Sequence, residues 1–233
     1  MFSPGNQVMA TLFCGSTEHT RSLIFETAIH WADEGRRVVY VAPKPLASLP
    51  PIYHDRNPPA AATFKLIRFM YLPNYEALME QLVDLHKFEI LPTVLIIDNL
   101  EHYASDPSVK GHREIHIARM CTLILDSMNA VSKITNIDVH ACASIDIEKD
   151  LPRSVYALYF DNIWEFTRDQ DKEGTFWLKK MQVGLSNACS MLYKYAKRQD
   201  GSVIFEKAMQ ETVKVYVSLK EEHTTQETDS STS

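Results

Sequence analysis

Residues 15–22, with the sequence GSTEHTRS, have the spacing of a loop that binds phosphate. Such a loop follows the pattern G-x-x-x-x-G-K-[ST]: its backbone amides converge on the phosphates, its lysine contacts the β- and γ-phosphates, and its hydroxyl binds magnesium. Gly15 and Ser22 occupy the first and last positions of this pattern, but Thr20 and Arg21 stand where it has glycine and lysine. The segment therefore predicts a nucleotide site that has lost some of its binding groups.

The substitutions weaken the expected hold on phosphate. Thr20 has a Cβ atom that restricts φ and crowds the phosphate. Arg21 keeps the positive charge, but a planar guanidinium on a longer side chain does not place a point charge where lysine does. Glu18 adds a carboxylate inside a site built for anions. We therefore expect weakened nucleotide binding.

A carboxylate at the end of a buried strand would complete such a site, because it can hold magnesium directly or through water. Asp98 follows the apolar run VLII. Many strands end in Asp before a turn. Together with the loop at residues 15–22, however, this position favours Asp98 as the carboxylate that holds magnesium. ATP and Mg²⁺ are the cofactors that this pattern implies, with Ser22 and Asp98 as metal ligands. The predicted, degenerate nucleotide site comprises Gly15, Ser16, Thr20, Arg21, Ser22 and Asp98.

The rest of the sequence reads as elements that would position this site. Short apolar runs predict buried strands, and apolar residues at helical spacing predict helices packed on them. The expected strands cover residues 8–14, 36–43, 65–72, 93–97 and 139–145, and the expected helices cover residues 21–34, 74–88 and 115–134. This alternation predicts an α/β fold with a doubly wound, mostly parallel sheet.

The sequence changes character after residue 155. Short β-rich segments separated by turn sequences predict antiparallel C-terminal hairpins at one edge of the sheet. Residues 220–233 form a polar and acidic tail with almost nothing to bury, so we expect it to be disordered. A length of 233 residues suits one hydrophobic core, and residues 1–219 are therefore expected to form a single domain.

Composition narrows the classes of function. Apolar residues make up 45% and charged residues 23%, as in an ordinary globular protein with a real core. The net charge of −6 argues against nucleic-acid binding by bulk electrostatics, so any DNA contact must be local or come from a partner. No secretory signal or apolar run of membrane-spanning length is present, so we expect no membrane partner and a nuclear or cytosolic location.

Cysteine and histidine spacing does not indicate a metal site. The cysteines lie far apart in apolar surroundings, which favours buried free thiols; they are Cys14, Cys121, Cys142 and Cys189. His102, His112 and His116 lie in a polar stretch that reads as a loop and lacks zinc-ligand spacing.

Four segments, in order, carry a family resemblance: GSTEHTRS, YVAPKPLASLP, KLIRFMYLP and VLIIDNLEHY. Over about residues 8–150 the chain resembles the RecA-superfamily paralogue that associates with the SWIM-domain zinc-finger protein in the metazoan Shu complex. KPLASLP and IRFMYLP are the most specific pieces of this resemblance. It implies a RecA-like (P-loop NTPase) fold and a nuclear role in homologous recombination. The implied partners are the SWIM-domain protein in a heterodimer, the strand-exchange recombinase and single-stranded DNA.

One departure from the superfamily bears on catalysis. Active recombinases of this superfamily carry a general-base glutamate just after the second strand, where this chain reads YVAPKP. Lys44 cannot take a proton from water while it is charged. We therefore expect a binding subunit with at most weak ATP hydrolysis and no catalytic residue.

Two other functions stay open at this stage. One is a DNA-stimulated ATPase, in which Arg21 and Ser22 would manage the phosphates and Asp98 would hold magnesium. The other is a small-molecule P-loop enzyme such as a nucleoside kinase. It ranks last because the sequence has no arginine-rich segment that could form a lid.

A short motif at residues 25–28, FETA, bears on partners. It resembles the F-x-x-A motif with which recombinase protomers dock an aromatic and a small residue into a neighbour, and so assigns Phe25 and Ala28 to partner binding. Packing in the chain's own core is the alternative, because residues three apart share one face of a helix.

Superfamily members contact DNA through the loops after the magnesium-side strand and after the next strand. The resemblance assigns Lys110 and Arg113 in the first loop, and Lys149 and Arg153 in the second, to DNA binding. Acidic residues are interspersed with them, so solvated loops are the alternative. Tyrosines and basic residues also alternate at residues 193–198, as in a stacking platform or an exposed strand.

Overall fold

The computed structural model describes residues 7–51, 53, 56–146, 155–169, 172–181 and 190–211. The strands are β1 (Val8–Cys14), β2 (Val38–Ala42), β3 (Ile67–Tyr71), β4 (Val94–Ile97), β5 (Val139–Ile145), β6 (Asn162–Arg168), β7 (Thr175–Met181), β8 (Ser190–Lys197) and β9 (Val203–Glu211). The α-helices are α1 (Thr17–Asp33), α2 (Ala61–Phe64), α3 (Tyr75–Val83), α4 (Leu100–Ala104) and α5 (Arg113–Thr135). Two short 3₁₀ helices cover Leu85–Lys87 and Val155–Leu158.

The nine strands that the described residues form lie in one sheet, in the order β3-β2-β4-β5-β1-β6-β7-β8-β9. The strands from β3 to β6 pair in parallel, and β7, β8 and β9 are added antiparallel. The predicted α/β fold, with a mostly parallel sheet and antiparallel C-terminal strands, is confirmed. The first of the predicted hairpin segments differs in one respect, because β6 pairs in parallel with β1 and the antiparallel extension begins only at β7.

Helices cover both faces of the parallel part of the sheet. Buried side chains of α3, α4 and α5 pack on one face, and those of α1 pack on the other. The runs of β-branched and other apolar residues in β2, β4 and β5 are buried along their whole length, as strands covered on both faces must be. This packing fixes the carboxyl ends of β1, β4 and β5, where the candidate site lies.

Cysteines and histidines lie mostly inside elements. Burial raises the pKa of the Cys14, Cys121 and Cys142 thiols to about 12, so all three stay protonated at neutral pH. Cys189 and the tail at residues 220–233 lie outside the described residues. His102 lies in α4 and His116 in α5, instead of the expected loop, because helical structure extends through most of this stretch.

Neither a metal-binding cluster nor a membrane-spanning helix is found among the described residues. Within the described ranges, no group of three or more His, Cys, Asp or Glu side chains could hold a metal ion. No helix in the part of the chain that the structure describes is long and apolar enough to cross a bilayer.

His140 in β5 makes folding sensitive to pH. Its side chain is buried, its ring lies 4.1 Å from the Trp31 ring, and burial together with nearby Arg36 lowers its pKa from 6.5 to about 4, although Asp138 acts in the opposite direction. The unfolded state therefore binds more protons between these two pKa values. As pH falls from about 6.5 to about 4, we expect the free energy of unfolding to drop by roughly 2 kcal/mol.

Urea unfolding measured across this pH range checks the prediction. Burial lowers the pKa of His19 too, so a smaller decline of the same sign should persist after His140 is removed. His140→Gln should flatten the pH profile, whereas His86→Gln, which removes an exposed imidazole, should leave it unchanged. An unchanged profile in His140→Gln would contradict the assignment.

Candidate nucleotide site

The turn between β1 and α1 is shorter than a phosphate-cradling loop. Only Gly15 and Ser16 separate the two elements, because α1 begins at Thr17 and not at the predicted residue 21. The Ser16 carbonyl accepts hydrogen bonds from the His19 and Thr20 N–H groups at 3.0 and 3.1 Å. These two amides are therefore committed to the first turn of the helix, and they cannot converge on a phosphate as the amides of a glycine-rich loop do.

Gly15 has a structural role in this turn. Its φ of +146° is one that residues with side chains rarely adopt, and a Cβ atom built on it would lie 2.7 Å from the Cβ of Phe166 in β6. Its N–H donates to the Ile145 carbonyl at 3.2 Å. Glycine is therefore required here for the close approach of β6, whether or not the turn contacts a ligand.

Arg21 and Asp98 are brought together, although β5 lies between β1 and β4 in the sheet. The Arg21 Nε donates to the Asp98 Oδ2 at 2.7 Å; the Asp98 side chain is 1% exposed and the Arg21 side chain 31%. Arg21 thus supplies the positive charge that a buried carboxylate requires. In a nucleotide-binding protein, magnesium would act near a carboxylate at this position.

Ser144, at the end of β5, fixes the other oxygen of this carboxylate. The Ser144 hydroxyl donates to Asp98 Oδ1 at 3.3 Å and accepts from the Asn99 N–H at 2.8 Å. The Tyr40 hydroxyl is buried nearby, and burial together with the Asp98 charge raises its pKa well above the usual range. Ser144 was not predicted, because a single hydroxyl in an apolar run gives no signal before the strand order is known.

The hydroxyl groups expected near phosphate and magnesium bond within the helix. The Ser22 hydroxyl is buried and donates to the Glu18 carbonyl at 2.9 Å, and the Thr20 hydroxyl donates to the Ser16 carbonyl at 3.2 Å. The Ser16 hydroxyl is buried and has no hydrogen-bond partner among the described residues. A metal ion at Ser22 would therefore have to displace a bond within α1.

The amino end of α1 also carries its own negative charge. A helix amino terminus favours anions, which is why phosphate groups bind there. In this chain Glu18 lies in the first turn, and the Thr17 hydroxyl donates to the carboxylate of Asp146. The Glu18 carboxylate pairs with Lys197 at 2.7 Å, and this contact lowers the pKa of Glu18. Carboxylates of the chain itself thus compensate the helix dipole.

Aromatic packing closes the side of the turn that faces β6 and β7. The His19 ring stacks on Phe176, with 4.6 Å between ring centres, and lies 6.1 Å from Phe166. A cleft of about 370 Å³ opens beside this stack, lined in part by Glu18, His19 and Lys197. Both lysines that line it are paired with carboxylates, Lys172 with Glu206 and Lys197 with Glu18.

The residues present do not fit a magnesium–nucleotide complex in this arrangement. The amides of His19 and Thr20 are used in the helix, Arg21 is held by Asp98, and the Ser22 hydroxyl is bonded to the backbone. The structure thus brings the predicted residues together at one edge of the sheet, where Arg21 pairs with Asp98 and the Thr20 and Ser22 hydroxyls bond to backbone carbonyls. Chemically, the arrangement is a buried ion pair that joins α1 to the end of β4.

Phe25 and Ala28, predicted for partner binding, lie in the core. They are 4% and 0% exposed, and the Phe25 ring lies 6.0 Å from Tyr40 and 6.4 Å from Phe69. Core packing, the alternative interpretation of FETA, is therefore what the structure shows. Docking through these two side chains would require α1 to leave the sheet.

The residues predicted for DNA binding lie in different surroundings. Lys110 is exposed, whereas both oxygens of Glu101 accept hydrogen bonds at 2.6 Å from Arg113. Lys149 and Arg153 lie outside the described residues. Both described candidates are exposed, but the charge of Arg113 is already paired with Glu101.

The alternating tyrosine and basic segment at residues 193–198 includes part of β8. Lys194 pairs with Asp169 at 2.6 Å and lies 4.9 Å from the centre of the Trp177 ring, while Tyr195 is buried. Lys207 in β9 lies 5.8 Å from the centre of the same ring. The segment therefore contributes more to packing than its alternation suggested.

Comparisons with known proteins identify the fold. No family profile matches this sequence, and no curated protein matches it. The RadB recombinase structure is similar with a TM-score of 0.55 and 10% identity, over 85% of this chain and 91% of that one. A DnaB-like replicative helicase, solved in a study of its interactions with primase, is also similar. Its TM-score is 0.52 at 10% identity, over 85% of this chain but only 57% of that one.

The strand order and these structural neighbours show that this chain has a RecA-like fold. Within that class, this chain differs in its β1–α1 turn, which is filled by the chain's own side chains. At this turn Arg21 pairs with Asp98, and the Thr20 and Ser22 hydroxyls bond to backbone carbonyls of α1.

Proposed function

We propose that this chain is a non-catalytic, RecA-like subunit of a Shu-type complex that supports homologous-recombination DNA repair. The observation that carries the proposal is the Arg21–Asp98 ion pair, in which the chain itself neutralises the carboxylate that would face magnesium. Residues 17–20 are helical, so the phosphate cradle is missing as well. A domain that keeps this fold without the site has a binding role.

The proposed partners are a SWIM-domain zinc-finger protein in a heterodimer, the strand-exchange recombinase, and single-stranded DNA, with the nucleus as the location. Support for them comes from the segments KPLASLP and IRFMYLP and from the similarity in fold to a recombinase. Because Phe25 and Ala28 are buried, contact with the recombinase would use another surface. Because the net charge is −6, DNA contact would be local; Lys110 and Arg113 are both exposed, and Arg113 would have to leave its ion pair with Glu101.

Co-expression with the SWIM-domain protein tests the proposal. We expect a stable heterodimer on size-exclusion chromatography, together with retention of recombinase and single-stranded DNA by the pair. Asp98→Asn removes the negative member of the pair and leaves Arg21, whose side chain is 31% exposed, to be solvated by water, so complex formation should stay intact. A chain that stays monodisperse alone and gives no complex would contradict the proposal.

We predict that Mg-ATP does not stabilise the isolated chain against unfolding. A ligand at 100 times its dissociation constant would raise the free energy of unfolding by about 2.7 kcal/mol, which a thermal melt would detect. The expected shift is zero, because the His19 and Thr20 amides, the Arg21 guanidinium and the Ser22 hydroxyl are already engaged. A clear shift, together with ATP turnover that Asp98→Ala abolishes, would favour the DNA-stimulated ATPase instead.

A further inference from the structure

A second surface lies at the edge of the sheet opposite the candidate nucleotide site. The segments that enter β2, β3 and β4 meet there, at the amino ends of these parallel strands. The Arg37 carbonyl accepts hydrogen bonds from the N–H groups of Thr93 and Val94 at 2.9 and 3.1 Å. The Val38 N–H donates to the Leu66 carbonyl at 2.9 Å. This edge is therefore a rigid base for the side chains that it carries.

Two adjoining clefts of about 410 and 530 Å³ occupy this edge. Both are lined by Arg37, Glu89 and Ile90, so they form one continuous depression. Apolar residues line much of it, and Ile90 and Ile137 are exposed. A ligand in these clefts could therefore bury apolar side chains.

Cationic side chains surround this apolar surface. Among the residues that line the two clefts, Glu89 is the only acidic one. The basic residues that line them are Arg36, Arg37, Lys65 and Arg68. The clefts are thus positive on a chain whose net charge is −6. Such a local charge excess attracts negatively charged partners and excludes basic ones.

Two of these cations are held in place and two are not. The Arg36 guanidinium lies 5.1 Å from the centre of the Trp31 ring, and that of Arg68 lies 4.4 Å from the centre of the Phe88 ring. Arg37 and Lys65 are exposed, and neither side chain forms an ion pair with any residue that the structure describes. These two cations are therefore free to pair with a ligand.

We propose that the two clefts bind an acidic peptide segment of a partner protein. Its carboxylates would pair with Arg37 and Lys65, and its apolar side chains would cover Ile90 and the neighbouring apolar lining. A peptide fits better than nucleic acid, because peptide side chains can bury the apolar lining while the acidic groups meet the cations. The proposal does not depend on the nucleotide site, which lies at the other edge of the sheet.

A fluorescein-labelled synthetic peptide of alternating glutamate and leucine tests the proposal by fluorescence anisotropy on the full chain. We expect saturable binding that weakens with added salt, because the charged contacts are partly screened. The doubly substituted R37E/K65E protein should bind at least tenfold more weakly. Lys44→Glu is the matched control, because it reverses an exposed lysine in the loop after the carboxyl end of β2, and it should bind as the wild type does.

Three further probes decide between occupants. The corresponding lysine–leucine peptide should not bind, and polyglutamate should bind more weakly than the glutamate–leucine peptide. Oligothymidylate should compete poorly. Absence of binding by the glutamate–leucine peptide, equal binding by R37E/K65E with its melting temperature retained, or tighter binding of oligothymidylate at these residues would each overturn the proposal.

Discussion

Replacement of Gly15 by alanine is expected to lower the free energy of unfolding by about 4 kcal/mol, from backbone strain and overpacking together. The backbone at Gly15 has a φ of +146°, which is strained for any residue with a side chain. The added Cβ would also lie 2.7 Å from the Cβ of Phe166, closer than real Cβ contacts allow. Because Phe166 is part of β6, the strand itself would have to shift. Urea unfolding at constant pH measures the effect.

Gly35→Ala is the matched control for this substitution. Gly35 also has a positive φ, of +79°, but a Cβ built there would meet no heavy atom within 4 Å. Its replacement should therefore cost only the conformational strain, about 1 kcal/mol. The difference between the two variants reports the contact with β6 together with the greater backbone strain at φ +146°. Equal losses in both variants would show that β6 does not pack against the turn as described.

Replacement of Arg21 by methionine is expected to cost about 3 kcal/mol, at the lower end of the range for breaking a buried ion pair. The methionine fills similar space but leaves the Asp98 carboxylate, which is 1% exposed, without the cation that neutralises it, and the 3.3 Å hydrogen bond from Ser144 is too weak to compensate. The value is at the lower end because the Arg21 side chain is 31% exposed and water can reach the pair. Chemical denaturation measures it.

Two further variants sharpen this test. Adding Asp98→Asn to Arg21→Met should recover most of the loss, because the neutral amide needs no counter-charge and still bonds Ser144. Arg113→Met removes a comparable arginine–carboxylate pair whose arginine is 49% exposed, and it should cost at most about 1 kcal/mol. A loss in Arg21→Met no larger than in Arg113→Met would contradict the structural importance of the buried pair.

The buried strands could be predicted from sequence because continuous apolar runs have few alternatives. The bounds of β1 and β5 agree with the expected residues 8–14 and 139–145. The start of α1 could not be predicted in the same way. The loop pattern suggested that residues 17–20 are non-helical, but no glycine or proline follows Gly15 within the segment to interrupt a helix. The short helices α2 and α4 could not be predicted either, because each is too short to show apolar residues recurring at helical spacing.

The spacing of the phosphate-loop pattern predicted that residues 15–22 would lie near Asp98, but it did not predict the ion pair between Arg21 and Asp98. The pattern gave the residue at position 21 a role toward phosphate, whereas the structure directs its guanidinium to the carboxylate. Ser144 contributes only because β5 lies between β1 and β4, which is a property of strand order. The parallel pairing of β6 with β1 is likewise set by the path of the chain across the sheet, and turn-rich sequence cannot show it.

The ion pair between α1 and β4 has a consequence for timing. In a recombination protein that assembles on binding a nucleotide and disassembles on hydrolysing it, the rate of hydrolysis sets the lifetime of the assembly. Because this chain completes its buried charge with its own arginine, the same conformation would persist at any ratio of ATP to ADP. Under the proposed function, removal of this subunit from a repair intermediate would then have to be driven by another protein or by degradation.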